Sequence, residues 1–194
     1  MTKEEMIRRV QNSMNEARFK HTMGTVKAAV ELAEKLGENT EKTYTAALLH
    51  DCAKNMPFEE QLEYGKRYGY IPDEITKKSL PILHAPIGAL VAEHEYGIQD
   101  ADVLNAIRYH TTGRENMTVL DEIVFTADLT EENRSYEFVD ELRDKVNENF
   151  HEGLILAFDR VIGFVLAKGT LLHPTTVFAR NWVIEQYKVE EKKQ

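Results

Sequence analysis

The sequence predicts an all-α fold, a helical bundle forming a single domain over residues 1–194. Three observations lead there. Apolar residues recur at three- and four-residue steps along nearly the whole chain, the spacing that lines one face of a helix. No segment alternates apolar and polar residues as a half-buried strand does. Glycine and proline cut the chain into pieces of helical length, with no linker, repeat or low-complexity tract between them.

About ten helices are expected, and each has a local reason. A charged, helix-like start covers roughly 3–13. Met23, Val26, Val30 and Ala33 step through 16–36, which Gly37 closes. Thr40, with Thr43 nearby, opens a helix over 40–54 that Pro57 ends. A helix over 58–68 precedes the turn from Gly69 to Pro72, and a short one at 73–79 follows. Pro81 and Pro86 bracket the start of 85–96, with His84 between them, and Gly97 breaks it. Val103, Ala106, Ile107 and His110 share a face of 100–111, before Gly113. Helices over 118–129, 135–148 and 152–168 come next, the last stopping near Gly169, and a final one runs from about 175 to 188. The tail Glu190-Glu191-Lys192-Lys193-Gln194 reads as a solvated end.

Composition narrows the function classes. A chain of 194 residues is long enough to bury one sizeable core. The net charge of −9 excludes a broad nucleic-acid surface, which needs a lysine- and arginine-rich patch. It does not exclude a small phosphate ligand, because a metal and a few local cations reverse the field inside a pocket. No run approaches the ~20 apolar residues that cross a bilayer, and the charged N-terminus lacks the apolar stretch of a secretion signal. A single cysteine, Cys52, rules out an internal disulfide framework and a thiolate zinc cage. A reduced, cytoplasmic setting is therefore expected. Oligomeric state is left open, with a homodimer as the arrangement to test.

Polar residues occupy places where the pattern calls for apolar ones. Tyr44, Ala47, Leu48 and Asp51 lie three or four apart, which puts Asp51 on an apolar stripe, with His50 one step around. Leu120, Val124 and Asp128 repeat that arrangement, His110 follows Val103, Ala106 and Ile107, and His21 begins the face continued by Gly24, Thr25 and Ala28. One histidine on an apolar face is ordinarily a satisfied core residue. Five inward polar positions on different helices are another matter, because burying two unpartnered carboxylates costs several kcal/mol each. Imidazoles beside carboxylates suit a divalent transition metal better than an ion-pair network. These ligand types accept manganese, iron, cobalt or zinc.

His21, His50-Asp51 and Asp128 resemble the H…HD…D signature of the HD-domain phosphohydrolase superfamily, a helical-bundle fold. The ordered motifs Arg18-Phe19-Lys20-His21-Thr22-Met23-Gly24, His50-Asp51-Cys52-Ala53-Lys54, Leu83-His84-Ala85-Pro86, Tyr109-His110-Thr111-Thr112-Gly113 and Ala127-Asp128 with Arg134 are similar, end to end, to the YqeK family. The resemblance implies an iron-containing, symmetrical hydrolase of diadenosine tetraphosphate that releases two ADP. It implies His21, His50, Asp51 and Asp128 as metal ligands, His84 and His110 as ligands of a second ion, and Asp51 as the bridge. One departure stands out: a proline is expected soon after the last metal aspartate, where this chain has Glu131-Glu132-Asn133-Arg134. Gly69-Tyr70-Ile71-Pro72 looks like the GYP tripeptide of cyclic-dinucleotide HD enzymes, but the isoleucine interrupts it.

Around the expected metals, Lys54 shares a helical face with His50 and Asp51 and is assigned, with Asp51, to catalysis, as a point charge on phosphate. Arg18 and Arg134 are candidate phosphate clamps, alongside the metal residues His84, His110 and Asp128. Thr111 and Thr112 offer hydroxyls at a helix end, and His173, Pro174, Thr175 and Thr176 lead into the last helix, whose free N–H groups suit an anion or a base edge. The helices over 152–188 would complete the nucleotide pocket, while the metal motifs lie within 18–134. His94, His151 and Cys52 read as structural, and Phe178 and Trp182 as core. The expected reaction is attack by a metal-activated hydroxide on an inner phosphorus. The alternatives are another nucleotide on the same site, such as a deoxynucleotide or a cyclic dinucleotide, and a nucleotide-binding regulatory module.

Overall fold

Among residues 1–188, which the computed structural model describes, ten α-helices and one 3-10 turn form, and no strand. They are α1 (Lys3–Ser13), α2 (Glu16–Leu36), α3 (Thr40–Leu49), α4 (Phe58–Arg67), α5 (Leu80–His94), α6 (Ala101–Tyr109), α7 (Val119–Thr130), α8 (Val139–Glu148), α9 (Phe150–Ala167) and α10 (Pro174–Lys188), with the 3-10 turn at Thr76–Lys78. The expected tail at 190–194 lies outside the described residues. No described helix is long and apolar enough to cross a membrane.

Helix ends are fixed by local chemistry. Thr2 and Thr118 each accept a hydrogen bond from the backbone three residues on, and Glu5 and Asp121 answer as capping boxes. Asn15, Asn39, Asp100 and Asn149 cap α2, α3, α6 and α9 with side-chain oxygens. Gly37 (φ 73°) closes α2, its N–H donating to Ala33 O.

Four expected elements come out differently, one of them the 135–148 helix, which begins only at Val139 after Phe138 in the left-handed region. The 40–54 helix stops at Leu49, because the chain tightens into turns in which Cys52 N donates to Leu49 O and Lys54 N to Asp51 O. The 73–79 helix is only the 3-10 turn: Asp73 Oδ1 accepts from the Ile75 and Thr76 amides, which holds the chain in a side-chain-capped bend. The 85–96 helix begins earlier, at Leu80, with Pro81 in its first turn and Pro86 inside. Every residue from Leu83 to Ala92 is buried, so packing outweighs the hydrogen bond that Pro86 cannot donate.

Helix α2 lies against α3 and α7, α6 touches α3, α5 and α7, and α9 joins α8 and α10 to α7. Phe125 on α7 stacks on Phe158 on α9 at 4.3 Å within one apolar core. Two aromatic expectations divide. Trp182 packs against the core, but Phe178 is 54% exposed. Helix α10 turns Ala179 and Val183 inward, four residues apart, so Phe178 faces away. His94 stacks on Tyr68 at the surface, and His151 lies inside the first turn of α9, stacked on Tyr187.

Candidate metal centre

The turn after α3 brings His50 and Asp51 to the same point. On an uninterrupted helix adjacent side chains diverge by about 100°. Here α3 ends at Leu49, His50 caps it with a still-helical backbone and Asp51 follows in the turn, and both side chains aim into the space between α2, α5, α6 and α7. Four atoms meet on one side of Asp51. His21 Nε2 is 2.9 Å from Asp128 Oδ1 and 3.8 Å from Asp51 Oδ2, and His50 Nε2 is 3.6 and 3.5 Å from the same oxygens. On the other side, Asp51 Oδ1 is 3.0 Å from His84 Nε2 and 3.5 Å from His110 Nε2, and those nitrogens are 3.1 Å apart. Asp51 thus lends one oxygen to each of two donor sets.

The imidazoles are turned by their other nitrogens. His50 and His110 end α3 and α6, and each donates from Nδ1 to the carbonyl three residues back, Ala47 O at 2.7 Å and Ile107 O at 2.8 Å. Each bond satisfies a carbonyl that the helix end leaves unpaired, and each leaves an Nε2 lone pair facing Asp51. His84 Nδ1 sits 3.4 Å from Leu80 O. His21 differs, because its Nδ1 meets a carboxylate, Glu131 Oε1, at 3.0 Å.

The donor sets fit divalent cations on an observation independent of any family. His21 Nε2, His50 Nε2 and Asp51 Oδ1 are buried and make no well-aligned hydrogen bond, although other ligand-type atoms of the cluster crowd within 2.9–3.8 Å of them. Buried polar atoms left unpaired cost about 1–3 kcal/mol each. Clustering three of them, each from a group that ligates metals, makes sense when an ion supplies the missing contacts. The trios His21, His50, Asp51 and Asp51, His84, His110 each gather their ligand atoms within 4.8 Å of one another.

Cations stand at the rim. Arg18 Nη1 donates to Asp51 Oδ2 at 2.8 Å, and Arg134 donates to Asp128 Oδ1 at 2.6 Å and to Asp128 O at 2.7 Å. Lys54 Nζ lies 3.1 and 3.3 Å from the two ring nitrogens of His84 and 3.8 Å from Asp51 Oδ1. Burial opposes a charge on His50, but Asp51 and Asp128 outweigh it and push it up to about 10. Burial likewise favours neutral carboxyls, yet the histidines hold Asp51 and Asp128 well below the usual range. His84 goes the other way, brought down to about 4 by burial with Asp51 opposing, and burial lowers Lys54 and His110 as well.

The residues expected to hold nucleotide are placed unevenly. Arg18, Lys54 and Arg134 flank the two carboxylates with side chains about a third exposed (28, 29 and 31%). Thr111 Oγ1 is buried without a partner, while Thr112 turns inward and donates to Gly113 O. At the start of α10, His173 Nδ1 accepts from the Thr175 amide and Nε2 faces Asp73 Oδ2 at 3.1 Å, so one of the amides offered to an anion is already taken. Pro174 is exposed and Thr176 buried. Helix α10 reaches the turn after His110, since a Cβ at Gly113 would lie 2.9 Å from Ala179 Cβ. Glu131, Gly24 and Arg143 were not among the expected site residues, and Glu131 lies just past the end of α7, where helical spacing gives no signal.

An all-helical bundle whose buried His-Asp pair meets histidines and an aspartate from other helices defines a class, and the chain belongs to the HD-domain family, whose model matches residues 18–133. Among relatives, it is 36% identical to the symmetrical bis(5'-nucleosyl)-tetraphosphatase of Bacillus subtilis (strain 168), covering 95% of this chain and 98% of that one. It is 33% identical to the protein of the same name from Halalkalibacterium halodurans, over 97% and 100% of the two chains. The crystal structure of a Clostridium acetobutylicum protein, described as a predicted HD superfamily hydrolase involved in NAD metabolism, superposes with a TM-score of 0.92 at 39% identity, covering 96% of this chain and 98% of that one.

Proposed function

We propose that this chain is a metal-dependent phosphohydrolase that cleaves diadenosine tetraphosphate symmetrically into two ADP. The observation that carries the reading is Asp51, with one carboxylate oxygen in each of two buried donor sets. Full-length likeness to symmetrical tetraphosphatases supports the substrate. His21, His50, Asp51 and Asp128 would hold one divalent ion and Asp51, His84 and His110 a second, iron being the metal proposed. Bound there, the ions supply Lewis acidity and lower the pKa of water.

The chain's own residues do the rest. Arg18 and Arg134 exchange their carboxylate partners for phosphate oxygens and fix the tetraphosphate in line. Water adds at one inner phosphorus, the P–O bond to the other inner phosphate breaks, and one ADP leaves from each half. Lys54, beside Asp51 and His84, offsets charge building on the leaving oxygen. The turn at Thr111–Thr112 and the start of α10 at His173–Thr176 form the far wall, for ribose and base. One continuous core supports a single domain, and the buried thiol of Cys52 suits a cytoplasmic setting.

Purified protein incubated with diadenosine tetraphosphate, with and without chelator, tests the reading. Two ADP per substrate, lost on chelation and restored by metal, is the expected result. AMP plus ATP would overturn it.

A further inference from the structure

We infer that Glu131 is a positioning residue for the first donor set, where its carboxylate, admitted by Gly24 and held in place by Arg143, fixes and polarises His21. The inference rests on the metal-hydrolase reading above and adds residues to it. Glu131 stands just past α7, in the stretch where a proline was expected. Its side chain is 1% exposed. Oε1 lies 3.0 Å from His21 Nδ1, and Oε2 accepts from Asn133 N at 2.7 Å and Asn133 Nδ2 at 2.9 Å.

Two further residues make this position available. Gly24 is one helical turn after His21 on the same face of α2, and a Cβ there would sit 2.1 Å from Glu131 Oε2. Any side chain at 24 therefore displaces the carboxylate. Arg143, on α8, donates to Thr130 O, Glu131 O and Arg134 O at 2.9, 2.6 and 2.9 Å and to Asp140 Oδ1 at 2.7 Å. One guanidinium thus satisfies carbonyls left open at the end of α7 and pins the turn that carries both Glu131 and Arg134.

His21 is set apart by this arrangement. The Nδ1 atoms of His50 and His110 donate to backbone carbonyls and that of His84 lies between Leu80 O and Lys54 Nζ, whereas His21 Nδ1 faces a carboxylate. A carboxylate behind an imidazole fixes its tautomer and strengthens the opposite nitrogen as a metal donor, and losing such a partner typically costs 10–100-fold in metal affinity. The first set thereby becomes the tighter one. The second has one carboxylate oxygen and the Lys54 ammonium beside His84.

Calorimetric titration of the metal-stripped protein with manganese(II), paired with nitrogen-15 NMR of the histidine rings in the metal-free state, tests this. Glu131→Ala should weaken the tighter class of sites by about 10–100-fold and leave the weaker class unchanged. It should also abolish the hydrogen-bonded Nδ1–H signal of His21, which Glu131→Gln should partly restore. Gly24→Ala should reproduce the Glu131→Ala loss, and the double variant should add nothing to it. Glu132→Ala, on the exposed neighbour paired with Lys27, should change none of these readouts. Wild-type affinity and an unaltered His21 ring in Glu131→Ala would overturn the inference. So would equal weakening of both classes with general loss of metal-free stability, which would mark Glu131 as merely structural. A wild-type protein that binds no divalent metal would instead sink the metal reading, and the inference with it.

Discussion

His50 caps α3 where the chain begins to turn, and its imidazole and the carboxylate of the adjacent Asp51 face one centre. Its Nδ1 bond to Ala47 O and its position at the end of α3 were not legible as such, although its burial was. Five of the donors could be found because each is a polar residue set within an apolar helical pattern, while His84 came only from the family resemblance. Glu131 escaped that logic because it lies beyond the last helical turn, where an acid reads as solvated. Another buried acid, Glu122 on α7, makes a residue-scale prediction. Its side chain is fully buried with one hydrogen bond, from Tyr187, and burial, aided by Asp121, pushes it from an ordinary 4.5 up to about 7. The folded state therefore keeps a proton that the unfolded chain has released, so this contribution is full below about 4.5 and is lost as pH rises through about 7. At about 1.4 kcal/mol per unit, the loss is of order 3 kcal/mol. Urea unfolding of wild type and Glu122→Gln across pH 4 to 8 should show their stability difference shifting in favour of Gln by that order. A pH-independent difference would contradict the assignment.

Element boundaries were legible where capping chemistry is local and hidden where tertiary contacts decide. Helices α1 and α2 fall where expected: Gly37 marks the end of α2, and Thr2 and Asn15 cap the two starts with local hydrogen bonds. Helix α5 starts a full turn early and runs through Pro86, since burial on all sides outweighs a missing donor, and no local rule reads that. The end of α6 couples conformation to packing. Gly113 has φ 63°, its N–H donates to Tyr109 O at 2.7 Å, and a Cβ there would come within 2.6 Å of Phe158 and 2.9 Å of Ala179. Gly113→Ala combines a left-handed residue, about 1 kcal/mol, with overpacking of about 1–3 kcal/mol. A loss of about 2–4 kcal/mol in denaturant unfolding is expected, with a raised KM because α10 packs on this turn beside His110. Unfolding unchanged within 0.5 kcal/mol, the ordinary size of a neutral surface substitution, would show that the turn is not under this constraint.

At the scale of the molecule, five helices and their ends bring His21, His50, His84, His110 and Asp128 around Asp51, while α8 reaches back through Arg143 to hold the turn between α7 and itself. Helical periodicity made the fold class readable, and ordered polar intrusions made the centre readable. How the elements lie against one another was not, because packing partners such as Phe125 with Phe158 leave no mark in spacing. The central claim is that Asp51 bridges two ions. Electron paramagnetic resonance of metal-stripped protein reloaded with two manganese(II) ions per chain measures it directly. A spin-coupled pair spectrum is expected for wild type, collapsing in Asp51→Asn to the six-line signal of isolated ions. Two tightly bound, magnetically isolated ions in the wild-type protein would contradict the bridge.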